Sequence, residues 1–111
     1  MSIVQRSAEA LEQSDLAGMS AKALAKTLGL SEQQLRRQLT LAGMNYSTLI
    51  FRERKRRVIA FMAEHPAASI EQLSLLCGYN GTKQTKVNFG IWFGVSHHQH
   101  LARQKPRGET A

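Results

Sequence analysis

Cysteine occurs once in the 111 residues, as Cys77. That excludes an intrachain disulfide and any zinc site built on paired cysteines, and it fits a reducing compartment. Proline occurs only at Pro66 and Pro106, so little interrupts a helix. Apolar runs are short. The longest, Val58–Ala63, has six residues, far fewer than a bilayer span requires. The opening stretch MSIVQRSAEALEQ has no apolar core of the kind a secretory signal needs, so secretion is not expected. Acids are scarce and unevenly placed. Residues 1–35 have a net charge of −1 and residues 36–111 a net charge of +8, and no acid occurs between Glu71 and Glu109. No carboxylate pair, nucleophile–base spacing or phosphate-cradling glycine loop is present, so an enzyme is not expected.

What is present is positive charge on a helical pattern. The formal net charge is +7 and the sequence pI about 10.2. A basic domain of this size suggests a polyanionic partner, nucleic acid before an anionic membrane surface. Apolar residues recur at intervals of three and four and never alternate over a strand length, which predicts an all-α chain of about seven helices. The expected spans are 2–14, 21–28, 32–42, 46–64, 69–76, 82–93 and 96–104, with Ser20, Ser31 and Ser69 as N-caps. Gly29, Gly43, Gly78 and Gly94 close four of them. His65-Pro66 stops the long fourth helix.

An internal repeat organises the chain. Ala25-x2-Leu28-Gly29-Leu30-Ser31 recurs as Ser74-x2-Cys77-Gly78-Tyr79-Asn80 at an offset of 49, and the helices that follow align at an offset of 50, Leu35 with Thr85 and Leu39 with Phe89. Each copy reads helix, glycine turn, helix, which is the helix-turn-helix arrangement. The expected organisation is a first such subdomain over 1–45, a linker helix over 46–64, a second subdomain over 65–104 and a flexible tail over 105–111. A linker of that length, about 27 Å, approaches the ~34 Å between successive major-groove segments on one side of B-DNA. A monomer could then meet two adjacent grooves if the duplex bends, at roughly 1–6 kcal/mol.

In the third helix, Gln33, Arg36, Arg37 and Thr40 lie opposite Leu35 and Leu39. Arg pairs bidentately with guanine and Gln with adenine in the major groove. The matching positions in the sixth helix are Lys83, Lys86, Val87 and Gly90, a poorer reading face. Val87 offers only apolar contact, for instance to a thymine methyl. Thr82 and Gln84 could add polar contacts from the first turn. The first unit is therefore expected to read bases and the second mainly to hold phosphate. Ser31, Thr40, Arg52, Lys55 and Arg56 are candidate backbone contacts, although a run such as Arg52-Arg54-Lys55-Arg56-Arg57 is often a solvated face.

The same residues resemble the DNA-binding domain of the AraC/XylS family of bacterial transcription regulators. The resemblance covers residues 5–104. It is carried by LAKTLGLSEQQLRRQLTLAG (24–43), by Tyr46-x2-Leu49-Ile50-x3-Arg54, and by Ile70-x2-Leu73, Gly78-Tyr79 and Phe89-x2-Trp92-Phe93-Gly94-Val95-Ser96. It implies binding of double-stranded DNA near promoters by two recognition helices, activation through RNA polymerase, and a cytoplasmic place on the nucleoid. It places Gln33, Arg36 and Arg37 against one groove, and Thr82, Lys83, Gln84, Lys86 and Val87 against the next. It also marks Arg54 as structural. The departures are Thr85, where the family has an aromatic or Leu; Val87 and Gly90, where it has basic residues; and His97, His100 and Lys55, where it has Pro, Tyr and Leu. The length leaves no room for the family's usual effector domain, so the chain is either a stand-alone regulator or a fragment.

His97, His98 and His100 suggest zinc, but no second ligand cluster accompanies them and no metal or cofactor is expected. His97 and His98 are expected to be solvated, with His100 in the packing role of the usual Tyr. Cys77, Phe89 and Trp92 are expected in the core. The alternative function is a protein-interaction module or antagonist with a degenerate second unit, motivated by Thr85, Val87 and Gly90. A membrane-surface role would explain the charge but not the repeat.

Overall fold

A computed structural model describes residues 1–104; the segment 105–111, expected to be flexible, lies outside the described residues. The described residues form seven helices and no strand. These are α1 (Ile3–Glu12), α2 (Ala21–Thr27), α3 (Glu32–Leu41), α4 (Tyr46–Glu64), α5 (Ile70–Cys77), α6 (Lys83–Phe93) and α7 (His97–Gln104).

The helices start where the sequence supplies an oxygen for the orphan N–H groups of the first turn. Ser31 and Ser69 each accept from the backbone N–H three residues on, while Gln34 and Gln72 reach back to the cap N–H. Ser2 with Gln5 and Ser96 with Gln99 make the same reciprocal pair. Replacing such a cap by Ala costs about 1 kcal/mol.

The turns of the two repeats match bond for bond. Gly29 and Gly78 have φ of +74° and +80°, a backbone region that L side chains rarely adopt. Beyond each glycine the chain closes back on the preceding helix, with Leu30 N–H on the Ala25 carbonyl at 2.8 Å and Tyr79 N–H on the Ser74 carbonyl at 3.1 Å. The offset of 49 read from the sequence is thus an offset between equivalent hydrogen bonds.

The chain divides into two compact units, Met1–Arg56 and Arg57 onward, so the division falls inside α4. The core of the first unit is Leu11, Leu16, Leu24, Ala25, Leu35, Leu39, Leu49 and Ile50. That of the second is Val58, Ala68, Leu73, Cys77 and Phe89, with Phe61, Met62, Trp92 and Phe93 packed against it. Each end of α4 is therefore core to one unit rather than a bare spacer. Leu35 and Leu39 in the first unit, and Thr85 and Phe89 in the second, are buried at matching positions, as the offset of 50 requires. No described helix is long and apolar enough to cross a membrane.

His97 corrects an expectation. It was expected to be solvated but is buried at 8% exposure, its Nε2 lying 2.7 Å from the Ala68 carbonyl and its ring edge-on to Phe89. The imidazole supplies a hydrogen to a carbonyl of the α4–α5 turn and so ties α7 to the second core. His100 does the same at the Pro66 carbonyl, 2.7 Å away, and stacks at a tilt on Phe89. His98 is exposed, as expected.

Candidate nucleic-acid interface

In the first unit the buried pair Leu35 and Leu39 anchors α3 against α2 and α1, which fixes the opposite face outward. Gln33, Arg36, Arg37 and Thr40 are all exposed there. Arg36 donates its Nε to Glu32 at 3.0 Å, with both side chains largely open to water. An exposed pair one turn apart is worth only ~0.3–0.5 kcal/mol. Glu32 therefore orients the guanidinium without locking it away from a stronger anionic or bidentate partner. Thr40 donates its hydroxyl to the Arg36 carbonyl at 2.9 Å, which leaves oxygen lone pairs outward. The Ser31 hydroxyl is engaged at the cap, accepting from Gln34 N–H. Behind this face, burial pushes the Tyr46 phenol up, against the opposing pull of Arg54 and Arg36.

On α4, Arg52 is exposed and Lys55 half-buried. Arg56 differs from both. Its Nε and Nη2 each lie 2.8 Å from an oxygen of Glu53, a carboxylate that the fold buries. The hydrogen bond to Glu53 lifts the Arg56 guanidinium above its already high range. A buried carboxylate is costly unless paired, so two of Arg56's donors serve the fold first.

In the second unit, Lys83, Gln84, Lys86 and Val87 on α6 are exposed, and Thr82 precedes the helix without a side-chain cap bond. Gln84 is not free to turn: it donates to Asn88 at 3.0 Å, and Asn88, itself buried, donates to the Tyr79 hydroxyl at 3.1 Å. The face lacks a side chain at Gly90, where an added Cβ would meet nothing. Thr85 is fully buried and receives the Ser74 hydroxyl at 2.8 Å. The corresponding pair in the first unit is Ala25 and Leu35, which is wholly apolar. The unusual Thr85 is thus matched by an unusual Ser74 on the facing helix.

Sequence reading missed Glu53, Asn88 and the Ser74–Thr85 pair. Their only local trace was a polar residue at a position of core periodicity. Among the described residues no group of three His, Cys, Asp or Glu is placed to hold a metal.

The fold is a tandem helix-turn-helix protein, with α2–α3 and α5–α6 as the two pairs. No family profile matches the chain. It is 30% identical over 83 residues to the HTH-type transcriptional regulator VirS of Mycobacterium tuberculosis, found in two strains. The match takes in 75% of this chain and 24% of VirS, so the chain spans about a quarter of its relative's length. Its fold is shared with a DNA-binding transcriptional dual regulator from Escherichia coli K-12, at a TM-score of 0.81 and 19% identity over 93% of this chain and 92% of that one. It is shared also with the C-terminal domain of AraT, a response regulator from Geobacillus stearothermophilus, at a TM-score of 0.68 and 19% identity over 98% and 91%. The resemblance to AraC/XylS regulators carried by the sequence motifs is borne out.

Proposed function

We propose that the chain is a sequence-selective double-stranded DNA-binding transcription regulator of AraC/XylS type whose base reading is concentrated on α3. The observation that carries this is the geometry of α3. It is the second helix of a helix-turn-helix and is held by two fully buried leucines, so that Gln33, Arg36 and Arg37 stand exposed together. Arg36 and Arg37 suit guanine, and Gln33 suits adenine. The relatives named above are transcription regulators, which supports a non-enzymatic role.

In this reading Thr82, Lys83, Gln84, Lys86 and Val87 present the second unit to a major-groove segment. The Asn88 network holds Gln84 in one orientation. Ser31, Thr40, Arg52 and Lys55 border the backbone, and Arg56 adds charge while two of its donors stay with Glu53. The protein acts in the cytoplasm on the nucleoid, as an activator that contacts RNA polymerase. A second reading, a protein-interaction module with a degenerate second unit, draws on the exposed Val87 and Ile91.

Selection of bound duplexes from a random pool by the full chain separates the two. The regulator reading expects an enriched block containing guanines that Arg36 and Arg37 can pair. Failure to enrich any sequence would favour the interaction module.

A further inference from the structure

The outer faces of the two recognition helices differ most at the centre of one row, where Arg37 is matched by Val87. At an offset of 50 from Gln33, Arg37 and Leu41, α6 carries Lys83, Val87 and Ile91. Val87 is 51% exposed and Ile91 66%, and neither belongs to the core of the second unit. Separated by one turn, they form an apolar strip with a rise of about 6 Å, close to the combined stack height of two successive base pairs at ~3.4 Å each. Exposure of an aliphatic residue at the third position of the row is shared by the first unit, where Leu41 is 82% exposed.

The strip's border is cationic. Lys83 and Lys86 are exposed beside it, and the sequence has no acid between Glu71 and Glu109. The centre of a protein–protein contact tends to shed charge, whereas a surface that approaches a polyanion gains from it. The apolar feature that bases present in the major groove is the C5-methyl of thymine. Val and Ile suit that contact because their branched Cβ leaves essentially one rotamer in a helix.

We infer that Val87 and Ile91 together read the C5-methyl groups of two successive thymines, so that the second unit selects a TT step by apolar contact. This rests on the DNA-reading function proposed above. Lys83 and Lys86 add phosphate contacts beside the N-terminal end of the strip, and the contact requires no hydrogen bond to a base edge. The poor polar face of α6 is then a different reader rather than a lost one.

Deoxyuridine tests this, because it keeps the base pair and removes only the methyl. The probe is the duplex selected by the full chain, remade with deoxyuridine in place of each thymidine singly and in adjacent pairs. At one TT step each replacement should weaken binding about fourfold, the value of one buried methyl-sized group. Val87→Ala should abolish the sensitivity at one of these positions and Ile91→Ala at the other. Both residues are exposed, so Trp92 emission should show an unchanged fold in each variant. Selective binding with no adjacent pair of methyl-sensitive positions would overturn the inference alone and assign the strip to a protein partner. Sensitivity that persists in both Ala variants would also overturn it. If no sequence is selected at all, the underlying DNA-reading function falls with it.

Discussion

Removing either hydroxyl of the Ser74–Thr85 pair should destabilise the second unit, and removing both should not. The two oxygens lie 2.8 Å apart between α5 and α6, with Ser74 at 4% exposure and Thr85 at 0%. Water cannot replace a lost partner there. A buried polar group left without its partner costs about 1–3 kcal/mol, whereas replacing both partners by apolar groups of the same shape is nearly neutral. Ser74→Ala strands the Thr85 oxygen and should fall in the upper part of that range. Thr85→Val is isosteric and strands the Ser74 hydroxyl, which can rotate toward the Ile70 carbonyl one turn back, so its cost should fall in the lower part. The double variant should recover most of the summed loss, giving a coupling of about 3 kcal/mol. Trp92 is the sole tryptophan and packs on the second core, so its emission during urea unfolding reports that unit alone. Single variants should shift the midpoint by about 1 M or more, given a slope of ~1 kcal/mol/M for so small a unit. Additive losses, with the double variant the least stable of all, would refute the reasoning.

Three further outcomes follow from the same geometry. Gly90→Arg fills open space on α6, so it should stabilise the second unit by about 1 kcal/mol through helix propensity and steepen the salt dependence of DNA binding by ~0.9 log unit per log salt; urea titration and binding at several salt concentrations read the two effects. Arg56→Gln should cost about 1–2 kcal/mol of stability, because it weakens a charge-assisted pair with buried Glu53 on a half-exposed side chain. The same substitution should flatten the salt slope less than Arg52→Gln does, as measured by circular dichroism melts and binding titrations. His97→Phe keeps the packing on Phe89 but leaves the Ala68 carbonyl without its 2.7 Å partner; the second unit should lose about 1–2 kcal/mol by Trp92 emission.

Features set within a few residues are legible in the sequence. Ser20, Ser31 and Ser69 cap helices because a side-chain oxygen need reach only two or three residues along the chain. Gly29 and Gly78 mark turns because the required φ is a property of one residue. The repeat was visible because two copies of one motif keep the same spacing. What escaped notice depends on a partner distant in sequence. Thr85 reads as a weakened core position until Ser74 is seen facing it, and His97 reads as solvated until the Ala68 carbonyl, 29 residues away, is placed 2.7 Å from its Nε2. Glu53 lies inside a run of basic residues that suggests a solvated helix face, yet it is buried and holds Arg56. On the candidate interface, the identities of the exposed α3 residues were legible, since their face is set by the 3.6-residue period. The hydrogen bonds that restrain Arg36 and Gln84 were not.

Base discrimination by α3 is expected to run through Arg36 and Arg37. It is tested most directly by the ratio of affinities for the selected duplex and a random one, measured by anisotropy at fixed low salt. Each bidentate arginine–guanine pair is worth about 1–3 kcal/mol, so Arg36→Ala and Arg37→Ala should each lower that ratio by roughly 5- to 150-fold, while Lys83→Ala should weaken both affinities alike and leave it in place. A ratio unmoved by either arginine substitution would contradict the account.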